Sequence, residues 1–590
     1  MSLHLSAHID NKKTDRQFGE KGHIEYTWSN CIREKILQLN FQLTRTNLDG
    51  EQFNNLRIHY IKMLEELRFN KVVKQDHLAF DFETKHFAII LYKMIAYTRD
   101  IIDGKGEYSL SFMMLYEWCN IMNERLACDL LDYFVLSPDN EKSIHPYGSW
   151  KDLKYLCNYL NSIGVKESPL IDRSIELINN QLRIDDDKYF NSTGNINISL
   201  VAKWVPREKS NKFGWIYTRL ACNYFSEYMT AVEGSESHKK AILKCKTHYR
   251  QLLSRLNKHL DTLQIKQCSH NWSDINFNNV TSISLTKQKN AFLNINNDGT
   301  IRNKYSTDRI NCSVKFNDFI LNASKGDVKI KGKRLSMIDF TKNALQIINN
   351  GYRNDVERIL LNKQWEDSSL STQSLGKMIA MVDVSGSMEG NPLMAAISLG
   401  IRIAEKSILG KRIMTFSSAP SWINLDECHD FTSMVNTVYK APFFLNTNFY
   451  AALDLILNSI IENKLEPENV QDLVLVILSD MQIDYVDNNF NKTLYESIKL
   501  KYEEAGIRVW GKPYRPPHIL FWNLRSTNGF PCLSNQMNSS MMSGFNPTVL
   551  NNFCEKGINA LLSTTPWYVL EKSLNNDRYK LLEEKAIEIL

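Results

Sequence analysis

Hydrophobic spacing divides the chain into two textures. From about Glu25 to Glu366, apolar residues recur every three or four positions. Arg57–Arg68 (RIHYIKMLEELR) and Leu252–Leu263 put them on one face and charges on the other, the pattern of helices half-buried on a neighbour. His86–Arg99 and Ser109–Phe134 are apolar on more of their circumference and predict helices enclosed between neighbours. Short polar joints bearing Gly, Pro or Asn separate the runs, at Asp103–Gly106, Pro138–Gly148 and Asn191–Asn197. Many helices with short joints predict an α-helical-repeat layer of HEAT-like type, stacked irregularly because no clean period recurs. Asn271–Val280 and Ile295–Thr307, rich in Asn, read as long loops. Val328–Lys333 alternates apolar and basic residues and reads as a short hairpin.

Beyond the Ser/Thr/Gln-rich joint Glu366–Ser374 the period changes. Lys377–Val382 (KMIAMV) is a short apolar run, followed by a loop and the helical run Pro392–Ile408, with Pro392 at its first position and Asn391 as cap. Arg412–Phe416, Leu473–Leu478 and His518–Trp522 predict strands; Phe431–Tyr439, Phe449–Ile461 and Lys492–Ala505 predict helices between them. Near-continuous apolar strands alternating with helices predict an α/β fold with a doubly wound parallel sheet, whose ligands bind outside the carboxyl ends of the strands. Trp567–Ile589 reads as one amphipathic helix packed back on another part of the molecule. The expected organisation is a flexible N-terminus over 1–24, a helical-repeat domain over 25–370 and an α/β domain with a C-terminal helix over 371–590.

Composition narrows the class. With 43% hydrophobic and 23% charged residues, the 590-residue chain is an ordinary globular protein, neither disordered nor collagen-like. No run of about 18 apolar residues occurs, so no membrane span is expected. The first residues lack the apolar core of a signal peptide. Eleven cysteines, none in C-x-x-C, suit a reduced intracellular, cytoplasmic setting with the thiols as small core residues. Richness in Asn, Ile and Lys suits an AT-rich genome, a viral one included. The formal +5 is uneven: residues 371–590 hold 19 Lys and Arg against 23 Asp and Glu, a net of −4, which leaves +9 on 1–370. A positive half suggests an anionic partner, nucleic acid being the obvious class, against the plainer reading of a solvated basic surface.

Candidate chemistry lies at the first strand of the α/β half. Asp383-Val384-Ser385-Gly386-Ser387 sets three oxygen-bearing side chains at i, i+2 and i+4, in a loop that Gly386 lets turn tightly. Carboxylate and hydroxyl oxygens without His or Cys are hard ligands that suit Mg²⁺ or Mn²⁺. Thr447, just before the Phe449 helix, and Asp480, at the end of VLVILS, fall at the same sheet edge. Taken alone, D-x-S-x-S is as readily a helix-capping turn; the added Thr447 and Asp480 make the set specific.

This set resembles the metal-ion-dependent adhesion site of the von Willebrand factor A domain, over about Gly376 to Gly544. The resemblance implies that Ser385, Ser387 and Thr447 touch the metal, that Asp383 and Asp480 hold it through water and hydrogen bonds, and that one position stays open for an acidic group of a partner. One departure is Leu445-Asn446 before the threonine, where many relatives carry Gly. In the helical half, Tyr97-Thr98-Arg99-Asp100 followed by Gly104-Lys105-Gly106-Glu107 is similar to the R-D…G-K-G-E signature of the TROVE module, the ring of helical repeats in Ro autoantigen proteins. Tyr147-Gly148-Ser149-Trp150-Lys151-Asp152-Leu153, Ala202-Lys203-Trp204-Val205-Pro206-Arg207 and Ser479-Asp480-Met481-Gln482 resemble an uncharacterised TROVE-like family with a C-terminal A-like domain, found in plants, fungi and large DNA viruses. Ro-like rings imply binding of small RNAs, 3′ ends in the central hole and structured RNA on a basic outer face.

Candidate RNA-binding residues follow from charge. In His238–His259, Lys239, Lys246 and Arg250 share one helix face, among Lys240, Lys244, Arg255 and Lys258; Lys329, Lys331 and Lys333, beside Arg334, alternate along Val328–Arg334. Lysine-rich faces bind phosphate without sequence preference, and aromatics such as Trp150, Trp204, Tyr249 and Trp272 stack on bases where they are not core. A solvated face is the commoner fate of any single such segment. No base or nucleophile is expected at the metal, Asp484 being the sole nearby carboxylate, so catalysis is not expected. Two functions remain: a Ro-type RNA- or ribonucleoprotein-binding protein, or a metal-dependent protein-interaction scaffold that captures an acidic side chain without RNA.

Overall fold

The computed structural model describes residues 16–19, 22–47, 50–69, 72–74, 77–79, 81–139, 143–191, 196–351, 355–416, 420–441, 449–471, 473–482, 493–551 and 564–590. Helices Ile32–Gln42, Glu51–Phe69, Phe82–Arg99, Tyr108–Ile121, Glu124–Asp132, Lys151–Ser162 and Pro169–Asn191 each pack on the next or next but one. Polar caps set their limits: Asp81 accepts the Thr84 amide at 2.8 Å, and Asn123 accepts that of Leu126 at 2.9 Å, dividing the apolar run 109–134 into two helices. Gly214–Tyr224 and Glu236–His259 continue the layer, and Asp261 (φ 41°) turns the chain into Leu263–Cys268. Ser282–Phe292, Thr307–Lys325, Met337–Asn349 and Asp355–Ser369 complete this half.

Val328–Lys333 has no strand partner among the described residues. Instead the Gly332 and Lys333 amides donate to the Asp367 carboxylate at 2.8 and 3.3 Å, and Gly332 lies so close that a Cβ would sit 1.7 Å from the Gln364 carbonyl oxygen. The segment presses on a helix and needs no second strand. The N-terminal segment expected to be flexible to residue 24 pairs from Arg16: β1 (Arg16–Phe18) runs antiparallel to β2 (Ile24–Tyr26), and Tyr26 exchanges backbone hydrogen bonds with Phe530 at 3.0 and 3.1 Å. A second small hairpin joins β3 (Val72–Lys74) to β4 (His77–Ala79).

The α/β half carries one six-stranded sheet, ordered β10-β9-β8-β5-β6-β7: β5 is Met378–Asp383, β6 Arg412–Phe416, β7 Ser421–Asn424, β8 Val474–Ser479, β9 His518–Asn523 and β10 Ser539–Ser543. All neighbours are parallel except β7, which runs antiparallel to β6 at the edge. Successive residues face opposite cores. Ala380, Val382, Val476 and Leu478 join the Asn391–Lys406 and Phe431–Tyr439 helices; Met381, Leu475, Ile477 and Phe521 join Phe449–Glu462 and Leu494–Trp510. Burial on both faces explains why these strands read as unbroken apolar runs. Gly390 (φ 94°), not Asn391, precedes the Asn391–Lys406 helix, and the Asn391 side chain accepts from Lys342 Nζ at 2.7 Å. The single C-terminal helix expected over 567–589 breaks at Asn575–Asn576 into Pro566–Leu574 and Lys580–Ile589, and both pieces pack on Phe82–Arg99. No helix among the described residues is long and apolar enough to cross a membrane.

The R-D…G-K-G-E residues form the joint between the halves. Arg578 grips Asp100 with Nε at 2.8 Å and Nη2 at 2.7 Å, and the Tyr579 hydroxyl donates to the same carboxylate at 2.8 Å. Lys105 Nζ, buried, donates at 2.5 Å to both the Asn40 carbonyl and Ser543 Oγ of β10. Burial depresses its pKa well below the ordinary lysine value. Gly104 is fixed by close approach, since a Cβ there would stand 2.0 Å from the Tyr97 carbonyl oxygen. The Tyr147 hydroxyl donates to the Arg578 carbonyl at 2.6 Å, and Asp152 pairs with Arg99 at 2.7 Å, both side chains buried.

Candidate metal centre

β5 and β8 are adjacent and parallel, with Val382 opposite Leu478, so Asp383 and Asp480 leave the sheet side by side at its carboxyl edge. β5 is also where the strand order reverses, with β6 on one side and β8 on the other, the place where open α/β sheets bind ligands. Asp383 and Asp480 are fully buried, Ser385 nearly so, and Ser387 half-buried. The Ser385 amide donates to Asp383 Oδ1 at 2.9 Å, and Ser479 Oγ donates to Asp383 Oδ2 at 2.6 Å. Ser385 Oγ and Ser387 Oγ stand 3.1 Å apart, and Ser387 Oγ donates to Asp480 Oδ1 at 3.4 Å. Met481 takes left-handed backbone (φ 62°), which turns the chain so that the Gln482 amide also reaches Asp480 Oδ1, at 3.2 Å.

Sequence-predicted ligands from segments 93 residues apart, Ser387 and Asp480, thus meet at one point. Thr447 and Asp484 lie outside the described residues. Burial, and then repulsion from Asp480, push the Asp383 carboxyl up to about 6, against the opposing pull of its hydrogen bonds from Ser479 and Ser385. Two buried carboxylates flanked by hydroxyls gain from a hard dication between them, and the donor set fits Mg²⁺ or Mn²⁺. Among the described residues no group of three or more His, Cys, Asp and Glu side chains gathers, so a metal here relies on serine oxygens. Bound at Asp383, Ser385, Ser387 and Asp480, the ion would supply a fixed positive charge to an anionic group of a partner.

One residue of the site escapes sequence reasoning. Arg525, two positions beyond β9, donates Nη1 to the Ser387 carbonyl at 2.9 Å and stands 3.8 Å from Asp480 Oδ2. Only the strand order, which seats β9 next to β8, brings it there; no local motif marks it.

The candidate RNA-binding residues are scattered more widely. Lys239, Lys246 and Arg250 all lie on the Glu236–His259 helix. Lys246 and Arg250 do share a face, and both pair there with Glu208, at 3.8 and 3.2 Å; Lys239 pairs with Glu236 at 2.8 Å. Of their basic neighbours, Lys244 sits 3.8 Å over the Tyr228 ring and Arg255 pairs with Asp186. Lys329, Lys331 and Lys333 are exposed while Ile330 and Gly332 are buried, an alternation that persists without a ladder; Lys329 pairs with Asp367 at 3.1 Å. The helix belongs to the large first core and the 328–333 segment to a separate small one around Phe316.

Comparison with known proteins matches both halves separately. Residues 166–368 match a family described as a domain of unknown function, DUF2828, and residues 377–585 match another, DUF7788. The matches fall on either side of the joint at 369–376. An uncharacterized protein, L728, of Acanthamoeba polyphaga mimivirus is 28% identical over 483 residues, 79% of this chain and 76% of that protein. None of these names states an activity.

Proposed function

We propose that this protein binds RNA or a ribonucleoprotein in the cytoplasm, as a TROVE-like arc of helices whose A-like α/β domain uses Mg²⁺ or Mn²⁺ to engage an anionic partner. The observation that carries the reading is that both ends of the helical half rest on the α/β domain. At its start, Ile32–Gln42 lies against β10 and Phe82–Arg99 against the C-terminal helices; at its end, Met337–Asn349 packs on Asn391–Lys406, on the other face of the sheet. An arc fixed at both ends to one domain is the arrangement a ring requires, and the metal site sits on that same domain. The test is single-stranded RNA binding at about 50 mM salt, where phosphate contacts are weakly screened. Lys246→Glu with Arg250→Glu is expected to weaken it more than tenfold. Absence of RNA binding at that salt overturns the reading.

A second reading, a metal-dependent scaffold without RNA, is favoured by two observations. The pairing of Lys246 and Arg250 with Glu208, and of Lys329 with Asp367, spends much of the charge expected to face phosphate. Arg525, beside Ser387 and Asp480, offers a second contact to a carboxylate seated at the metal. On this reading, partner capture from the native source is lost with EDTA and with Asp383→Ala, while RNA binding is absent throughout. Capture indifferent to both treatments excludes it.

A further inference from the structure

Three lysines gather on one aromatic patch of the helical half, with a fourth one helical turn away, well separated in sequence from the metal-site residues. Lys151 and Lys154 lie one turn apart on the Lys151–Ser162 helix, Lys203 is in Val201–Trp204, and Lys212 is in the turn before Gly214–Tyr224. Lys154 Nζ stands 5.1 Å from the Trp204 ring centroid and 5.3 Å from that of Phe213. Lys203 Nζ is 5.6 Å from Trp204, while Lys212 Nζ is 5.5 Å from Tyr155 and 5.4 Å from Phe213. Tyr155 meets Phe213 edge-on at 5.4 Å, and Lys154 bridges Phe213 to Trp204.

None of these four lysines forms an ion pair within 4.0 Å among the described residues. Ring faces stand in for anions at Lys154, Lys203 and Lys212, and such contacts compensate a charge only weakly. The charge is therefore under-compensated. Burial, then repulsion from Lys151, depresses the Lys154 ammonium to about 8; burial likewise depresses Lys203 and Lys151. Lys151 is attracted by the neighbouring Asp152 and repelled, more weakly, by Arg99 and by Lys287, on the Ser282–Phe292 helix. Cations gathered with Asp152 as their one neighbouring acid, itself held by Arg99, gain from an incoming anion.

The closeness of the cations favours an anion that concentrates charge. Lys154 Nζ and Lys203 Nζ, both over Trp204, are at most 10.7 Å apart. An extended single strand carries one charge per nucleotide, less charge per unit length than a polyphosphate. A linear polyphosphate sets several charges on a short chain. The ring faces already carry ammonium groups, so the occupant contributes charge rather than a stacking base. We propose that Lys151, Lys154, Lys203 and Lys212 form a binding site for a short linear polyphosphate, either free, as an inorganic or nucleoside polyphosphate, or as the 5′-triphosphate end of an RNA.

Calorimetric titration of the full chain with sodium tripolyphosphate at about 50 mM salt tests this. Saturable binding is expected, weakened at least about tenfold in the Lys154→Gln/Lys203→Gln variant. Lys212→Gln, at an exposed position that cannot compromise folding, is expected to weaken it about threefold. An oligoribonucleotide with a 5′-triphosphate, compared with the same strand bearing a 5′-hydroxyl, separates the two sources. A triphosphate advantage lost in the double variant assigns the RNA end; equal affinity of the two strands, with tripolyphosphate still bound, assigns the free polyphosphate. Absence of tripolyphosphate binding, or binding unchanged by both variants, overturns the proposal. The 5′-hydroxyl strand alone reports on the RNA reading, so each can fail without the other.

Discussion

Asp152 holds Arg99 at 2.7 Å with neither side chain reaching solvent, and the Ser149 amide donates to the same carboxylate oxygen at 2.9 Å. Removing one partner of a buried pair leaves the other charged and stranded, which costs about 3–5 kcal/mol. Asp152→Ala is therefore expected to lower stability by that amount in chemical denaturation. Replacing both partners, Arg99→Met with Asp152→Ala, should recover part of the loss, because no stranded charge remains. A single variant within about 1 kcal/mol of the parent would mean that water or another acid reaches Arg99. At the same scale, what the sequence disclosed of the candidate metal site was its local part. Asp383, Ser385 and Ser387 are close in the chain, and Asp480 ends a strand whose apolar run identifies it. Arg525 owes its place to which strand lies beside which, and a one-dimensional pattern carries no such information.

Elements were legible where one physical cause fixed them. β5, β8 and β9 are buried on both faces and contain little but apolar residues; the Leu494–Trp510 helix begins with a reciprocal cap between Thr493 and Glu496. β10 was not legible. Its sequence, SSMMS, looks polar, yet every residue is buried, because Ser540 meets the His518 ring at 2.7 Å and Ser543 meets the Asn40 carbonyl at 2.6 Å. Partners supplied by distant segments turn hydroxyls into core residues. The Lys151–Ser162 helix carries a prediction of its own. Lys154, pressed by Lys151 on its own helix and faced by Lys203 and Lys212, has its pKa brought to about 8 by burial first and that repulsion second. The folded chain thus releases this proton before the unfolded chain does, so between about 8 and the ordinary lysine value near 10.4 the unfolded state binds more protons and stability rises with pH. Polyphosphate affinity has the opposite trend: complete below about 8, it declines as pH climbs through that value. Titrations from pH 7 to 9 should show this decline in the parent and a flatter profile in Lys154→Gln; parallel profiles would remove Lys154 from the site.

At the scale of the whole molecule, the two halves share one interior. The largest core runs without a break from Tyr26 and Ile36 through Met94 and Leu256 into Met381, Ile477, Phe521 and Ala586. Leu335, Met337 and Phe340, from the end of the helical half, line the other face of the sheet beside Val382 and Ala396. Between these apolar contacts stand Lys105 against Ser543, Arg578 against Asp100 and the Tyr147 hydroxyl against the Arg578 carbonyl, buried and half-buried polar contacts that join the two halves. The change of sequence texture near residue 370 is therefore expected to mark a change of secondary structure rather than the edge of an independent folding unit. Expressed separately, 25–370 and 371–590 would each expose an apolar face and stranded polar groups, and each is expected to aggregate or to melt without a cooperative transition. Co-expressed, they should associate and recover a single transition near that of the intact chain. A monodisperse 25–370 fragment with its own sharp melt would show the helical half to be self-sufficient, and the polar joint at Asp100 and Arg578 would then be a docking contact between finished domains.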